Sequence, residues 1–304
     1  MEMGRGNPSK GSHFEPPLKA KEQGLGQWNV ERMKPLSRPR NKPTGILVVQ
    51  GHINGRKTQA IPDTGAEGNI MAASFARDIG LTIQNQNPSQ LLRMANGKHI
   101  ETIGTVQAVW SFVSDPVQNW KITFQVLADF VYDLVLGSAF LTATQTMSYH
   151  QHRLCRIPRP LQSLSVLRVN ILGSGCQRVL GIFQGNMMQA LPDSGSEANL
   201  VSLDYVKRHG WLPKIKREDQ NMLQFADGST EKTEGSIMAR WRFLRVGDDD
   251  PETSLRVKLH VLRGCVYNVI LGQDVLEDAD AFLRHEKAFL DMASSKESLG
   301  LNLV

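Results

Sequence analysis

Residues 59–70 read QAIPDTGAEGNI, and residues 189–200 read QALPDSGSEANL. Seven of the twelve paired positions are identical, and the other five exchange similar small or aliphatic side chains. Outward from this core the match continues. Gly51–Gly55 faces Gly181–Gly185, and Ile79-Gly80-Leu81 faces His209-Gly210-Trp211. Ala95-Asn96-Gly97 faces Ala226-Asp227-Gly228, and Gly104 and Trp110 face Gly235 and Trp241. Tyr132–Gly137 (YDLVLG) faces Tyr267–Gly272 (YNVILG). The offset grows along the chain in small steps, as expected when fixed elements are joined by surface loops of differing length. The chain therefore reads as two homologous lobes, 44–157 and 164–292. Repeats of this length point to paired globular domains rather than a solenoid.

Outside the lobes lie a tail (1–43), a Pro- and Arg-containing linker (158–163) and a C-terminal tail (293–304). Residues 1–43 hold nine Lys/Arg against four Asp/Glu, which accounts for the whole net charge of +5. The tail is poor in apolar residues and reads as a solvated, disordered extension. The lobes are thus electrically balanced, which argues against nucleic-acid binding as the main task. The N-terminus has no apolar core of a secretory signal, and no apolar run is long enough to cross a bilayer. Cys155, Cys176 and Cys265 are too few and scattered for a disulfide framework or a zinc site. A cytoplasmic or nuclear setting, with no membrane partner and no cofactor, is the expectation. The histidines show no metal-ligand spacing, and Ser194 and Ser196 have no nucleophile-elbow context.

Each lobe reads as short strands punctuated by glycine, so the fold class is all-β. Asn54-Gly55 is a strong hairpin signal. Thr102–Phe112 and Ile122–Leu127 read as strands separated by the turn-rich SDPVQN. Ala73–Ile79 and Leu203–His209 read as helices ending before glycine. A further helix is expected in QDVLEDADAFLRH after Gly272, giving one or two short helices per lobe.

Alone, Asp-Thr-Gly is a common turn tripeptide. Here each copy follows an apolar strand and precedes a small residue and a helix, with an apolar-apolar-Gly strand further on. This pattern resembles the retropepsin-like aspartic proteases of retroviruses, retrotransposons and related cellular proteins. The resemblance rests on Asp63-Thr64-Gly65-Ala66, Asp193-Ser194-Gly195-Ser196 and the two LVLG/VILG strands. It implies two acid-protease lobes forming an internal pseudo-twofold dimer, active as a monomer on a peptide or protein substrate.

The resemblance assigns Asp63 and Asp193 as the catalytic pair. Cleavage of an amide needs one carboxylate to deprotonate water and one carboxyl to donate a proton, and two adjacent carboxyls cannot both ionise. Thr64 and Ser194 would hydrogen-bond across the lobe interface. Glu67 and Glu197 would contact the substrate backbone. The hairpins at Asn96-Gly97 and Asp227-Gly228 would be flaps closing over substrate. Pro62 and Pro192 depart from the family pattern, which has an aliphatic residue there. The alternative is a catalytically silent module of the same fold that binds extended peptides or mediates a protein interaction.

Overall fold

The computed structural model describes residues 45–159, 166–174, 177–244, 254–291 and 302–303. The tail 1–43 and most of the linker 158–163 and of the C-terminal tail 293–304 lie outside them.

The first lobe contains β1 (Ile46–Ile53), β2 (Arg56–Asp63), β3 (Asn69–Ala72), helix α1 (Ala73–Asp78), β4 (Leu91–Arg93), β5 (His99–Phe112), β6 (Asp115–Leu127), β7 (Leu134–Gly137), α2 (Ser138–Ala143) and β8 (Leu154–Ile157). The second contains β9 (Val166–Val169), β10 (Gln177–Phe183), β11 (Asn186–Pro192), β12 (Leu200–Ser202), α3 (Leu203–Arg208), β13 (Met222–Phe225), β14 (Thr230–Lys232), β15 (Ser236–Phe243), β16 (Leu255–Leu262), β17 (Val269–Leu271), α4 (Gln273–Asp278), α5 (Ala281–Arg284) and β18 (Phe289–Asp291). A two-residue strand, β19 (Asn302–Leu303), pairs with β6.

Each lobe closes a six-stranded barrel. In the first, the ring runs β1-β2-β7-β3-β6-β5 and back to β1. In the second it runs β10-β11-β17-β12-β16-β15 and back to β10. The order is the same strand for strand, which is the structural form of the sequence repeat. Closure removes the edges that an open sheet would expose.

Local chemistry explains the matching hairpins. Asn54 and Gly55 have φ of 47° and 81°, and Gln184 and Gly185 have 49° and 89°. Positive φ at both central residues gives the turn whose twist suits paired strands. Ile53 then faces Arg56, and Phe183 faces Asn186. One expectation is corrected at the next hairpin. SDPVQN is not a loop, because Phe112 already faces Asp115 and β6 starts there. A two-residue reversal at Val113-Ser114 suffices, and the rest of the stretch is strand. Likewise QDVLEDADAFLRH is split into α4 and α5 at Asp280, whose φ is 47°.

Each barrel has its own core. Trp110 is fully buried in the first, packed edge-on to Phe112, and Trp241 is fully buried in the second, packed edge-on to Phe243. Both indoles lie against a glycine on the neighbouring strand. A Cβ on Gly51 would sit 2.3 Å from Trp110 Cζ2, and one on Gly181 would sit 2.3 Å from Trp241 Cζ2. The repeated Gly and Trp are therefore one packing unit. A third apolar cluster is shared between the lobes. It joins Val48, Ile61, Ile70 and Leu92 to Leu191, Leu200, Leu223 and Ile270. Among the described residues, no helix is long and apolar enough to cross a membrane.

Gly181→Ala forces a methyl into the indole of Trp241. It is expected to cost roughly 1–3 kcal/mol of stability, read as a lower urea midpoint with an unchanged slope.

Candidate active site

β2 and β11 each run into a tight loop that begins with the aspartate. Asp63 and Asp193 are both fully buried, at 0% exposure. The loops face each other across the pseudo-twofold and are tied by four reciprocal hydrogen bonds. Thr64 N donates to Ser194 Oγ at 3.0 Å, and Ser194 N donates to Thr64 Oγ1 at 2.9 Å. Thr64 Oγ1 donates to the Pro192 carbonyl at 3.0 Å, and Ser194 Oγ donates to the Pro62 carbonyl at 2.9 Å. The two prolines that depart from the family pattern thus serve the loop through their carbonyls, which proline retains.

Inside each loop the backbone holds the carboxyl. Asp63 Oδ1 accepts from Gly65 N at 2.8 Å and Ala66 N at 3.1 Å. Asp193 Oδ1 accepts from Gly195 N at 2.9 Å. Glycine is required for the approach of the loops. A Cβ on Gly65 would lie 2.7 Å from Asp193 Cγ, and one on Gly195 would lie 2.5 Å from Asp63 Cγ. Each carboxyl therefore rests on the glycine of the other lobe.

The remaining oxygens, Oδ2 of both aspartates, are buried and bonded to no other protein donor. The two carboxyls come close enough for each to shift the other. Burial, then the charge of Asp193 and the hydrogen bond to it, push Asp63 well above the usual carboxylate range. The N–H groups of Gly65 and Ala66 pull it back in part. Burial pushes Asp193 up to about 6, against the hydrogen bonds from Asp63, Gly195 and Ser196. The unequal values describe one pair losing protons in two steps rather than two independent acids. Over the range between those steps the site offers a base and an acid side by side.

Two residues escaped the sequence reasoning. Asn69 Oδ1 accepts from Gly137 N at 3.0 Å, and Asn199 Oδ1 accepts from Gly272 N at 2.8 Å. These bonds tie the chain beyond each loop to the end of β7 and to the residue just after β17. Both asparagines are identical in the repeat, and that was the available signal. Ala66 and Ser196 are fully buried, and their carbonyls accept from Ser138 N and Gln273 N. The loops are thereby fastened to the starts of α2 and α4.

The hairpins β4–β5 and β13–β14 lie over the cleft. Their tips grip the opposite lobe. Val266 N donates to the Ala95 carbonyl at 3.0 Å, and Val131 N donates to the Ala226 carbonyl at 3.2 Å. Asn96 Nδ2 donates to Glu231 at 2.8 Å, and Gly97 faces Val266. Asp227 accepts from Ser229 of its own hairpin, and Gly228 faces Val131. Gly97 and Gly228 thus lie against the opposite lobe, Asn96 reaches the other hairpin, and Asp227 bonds within its own. Beneath the hairpins runs β9 and its continuation to Ser174. That stretch falls within 164–292 by sequence, yet β9 pairs with β13 and takes no part in the barrel. Glu67 and Glu197 both hold this segment by backbone bonds.

Residues 49–143 match the sequence profile of the gag-polyprotein putative aspartyl protease family. The second lobe repeats the same strand order and loop. The chain carries the retropepsin-like fold twice. The crystal structure of the retroviral protease-like domain of Ddi1 from Leishmania major is similar at 23% identity. That match covers 34% of this chain and 80% of the other, with a TM-score of 0.26. No curated protein matches the chain. Among the described residues, no cluster of His, Cys, Asp and Glu could hold a metal ion.

Two outcomes follow from this retropepsin-like site. Ser194→Ala removes an acceptor from Thr64 N and a donor from the Pro62 carbonyl. Chemical denaturation should show a loss of roughly 2–4 kcal/mol, whereas Ser194→Thr, which keeps the hydroxyl, should lose far less. The second concerns pH. The folded aspartates have raised pKa values, so the folded state binds more protons than the unfolded state above the unfolded value of 3.8. Stability therefore falls as pH rises through that window. Asp63→Asn/Asp193→Asn cannot ionise there and escapes this loss. It should exceed the natural chain by on the order of 3 kcal/mol near pH 7, with the gap closing below about pH 4.

Proposed function

We propose that this chain is an aspartic endopeptidase that hydrolyses peptide bonds with water activated between Asp63 and Asp193. One observation carries the reading: two fully buried carboxyls from different lobes act on each other, and the Oδ1 atom of each is held by backbone N–H groups. The ionised partner takes a proton from water, and the protonated partner donates to the amide carbonyl oxygen. Collapse of the tetrahedral intermediate returns a proton to the leaving amine. Neither aspartate owns a role in the free protein, because the pair is nearly symmetric. One chain supplies both loops, so a second copy is not required, and the substrate is a peptide or protein in extended form.

A second reading is a peptide-binding module without turnover. The chain segment held in the cleft by Glu67 and Glu197 favours it, since binding alone would use those contacts.

A peptide library incubated across pH 3–8 separates the two. Turnover is expected where the pair holds one proton and lost on the alkaline side as that proton leaves. Asp63→Asn and Asp193→Asn should each lower the rate roughly 10²–10⁴-fold. Saturable peptide binding that survives both changes, with no cleavage at any pH, establishes the second reading instead.

A further inference from the structure

The cleft between the lobes is filled by the chain itself. Residues 166–174 lie extended beneath both hairpins, and Val169, Asn170, Ile171 and Leu172 are each 1% exposed. Val169, Ile171 and Leu172 belong to the same apolar cluster as Ile61, Leu92, Leu191 and Phe225. A segment that merely connected two barrels would need no polar fastening to the loops of both.

This segment has that fastening, and it is arranged symmetrically. On the second lobe, Glu197 N donates to the Arg168 carbonyl at 2.9 Å, and Arg168 N donates to Glu197 Oε2 at 2.8 Å. On the first lobe, Glu67 N donates to the Leu172 carbonyl at 2.9 Å, and Ser174 N donates to Glu67 Oε2 at 3.0 Å. Leu172 N also donates to the Gly65 carbonyl at 3.4 Å. From above, β13 pairs with β9, and Gly173 N donates to the Arg93 carbonyl at 2.9 Å. Tyr132 and Tyr267, equivalent in the repeat, reach in from the two sides. Asn170 Nδ2 donates to Tyr132 Oη at 3.1 Å and to the Gly195 carbonyl at 2.8 Å, and Tyr267 Oη donates to the Gly173 carbonyl at 3.4 Å.

The register follows from the symmetry. Glu67 N and Glu197 N are equivalent donors, and they hold the carbonyls of Leu172 and Arg168. Midway along the chain between those carbonyls is the carbonyl carbon of Asn170. The pseudo-twofold that exchanges the two glutamates also exchanges Asp63 with Asp193. The peptide bond presented to the paired carboxyls is therefore Asn170–Ile171.

We propose that residues 166–174 are a tethered resident of the peptide cleft, and that other peptides enter only by displacing them. The resident also marks the class of chain the cleft takes. It is an extended peptide with apolar side chains at the Val169, Ile171 and Leu172 positions and a small polar residue at the Asn170 position. Because the segment is tied to both lobes, its effective concentration is on the order of millimolar, and a free peptide of equal intrinsic affinity competes poorly. The inference rests on the endopeptidase reading only for the identity of the site, since occupancy itself needs no turnover.

The test is run in the full-length Asp63→Asn chain, so that hydrolysis does not enter. A fluorescent peptide of sequence VLRVNILGS, residues 166–174, is titrated by anisotropy. The intact chain should bind it at least tenfold more weakly than a chain whose residues 166–174 are replaced by Gly and Ser. A second variant guards against misfolding of the first. It carries specific-protease sites on both sides of the segment, one inserted between Pro160 and Ser165 and one between Gly175 and Cys176, and cutting both should raise the affinity by a similar factor. A peptide with Asp at the Ile171 and Leu172 positions should bind at least tenfold more weakly to either opened form. Equal affinity before and after the cut, with near-ultraviolet dichroism unchanged, overturns the proposal. Failure of the opened chain with both aspartates intact to cleave any peptide overturns the endopeptidase reading and leaves this binding result standing.

Discussion

The reciprocal hydrogen bonds between Thr64 and Ser194 hold the rest of the arrangement in place. Two acidic side chains do not come together unaided, since each must leave water and approach a like charge. The hydroxyls bind each other's backbone N–H groups and each other's preceding carbonyls, so the loops meet in one orientation. Glycine at 65 and 195 then lets each carboxyl rest on the opposite loop. The raised pKa of both aspartates follows from their burial and that enforced approach.

The two barrels are the supports for this contact. Each brings its loop to the axis through parallel pairing of β2 with β7, or β11 with β17. The asparagines at 69 and 199 fasten the far side of the loop to the same strand. Burial of the tryptophans against Gly51 and Gly181 fixes the hairpin that leads into each loop. The chain from core to site is short, and it is built twice from the same residues.

The third apolar cluster has a different origin. It is assembled from the inner faces of both lobes, from the two hairpins and from Val169, Ile171 and Leu172. The apolar surface of an open cleft would be costly to leave in water. The tethered segment covers it, and the hairpin tips close over that segment by bonding to the opposite lobes. Interior packing and the fastening of this segment are here the same set of contacts.

The all-β class, the two lobes, the hairpin turns and the paired Asp-Thr-Gly and Asp-Ser-Gly loops were legible in the sequence, because each depends on local chemistry. Positive φ at Asn54-Gly55, strand alternation and an internal repeat are properties of neighbouring residues. The repeat also carried Asn69, Asn199, Tyr132 and Tyr267 in plain view, but no local rule says what an asparagine six residues beyond an aspartate will bond. The extent of β6 was missed because turn-forming residues in SDPVQN are permitted in a strand once its partner is fixed. Only the tertiary structure decided where residues 166–174 go. Their sequence is that of any short apolar strand. Their place beneath the hairpins is set by donors on Glu67 and Glu197, which lie far away along the chain and converge only when both barrels have formed.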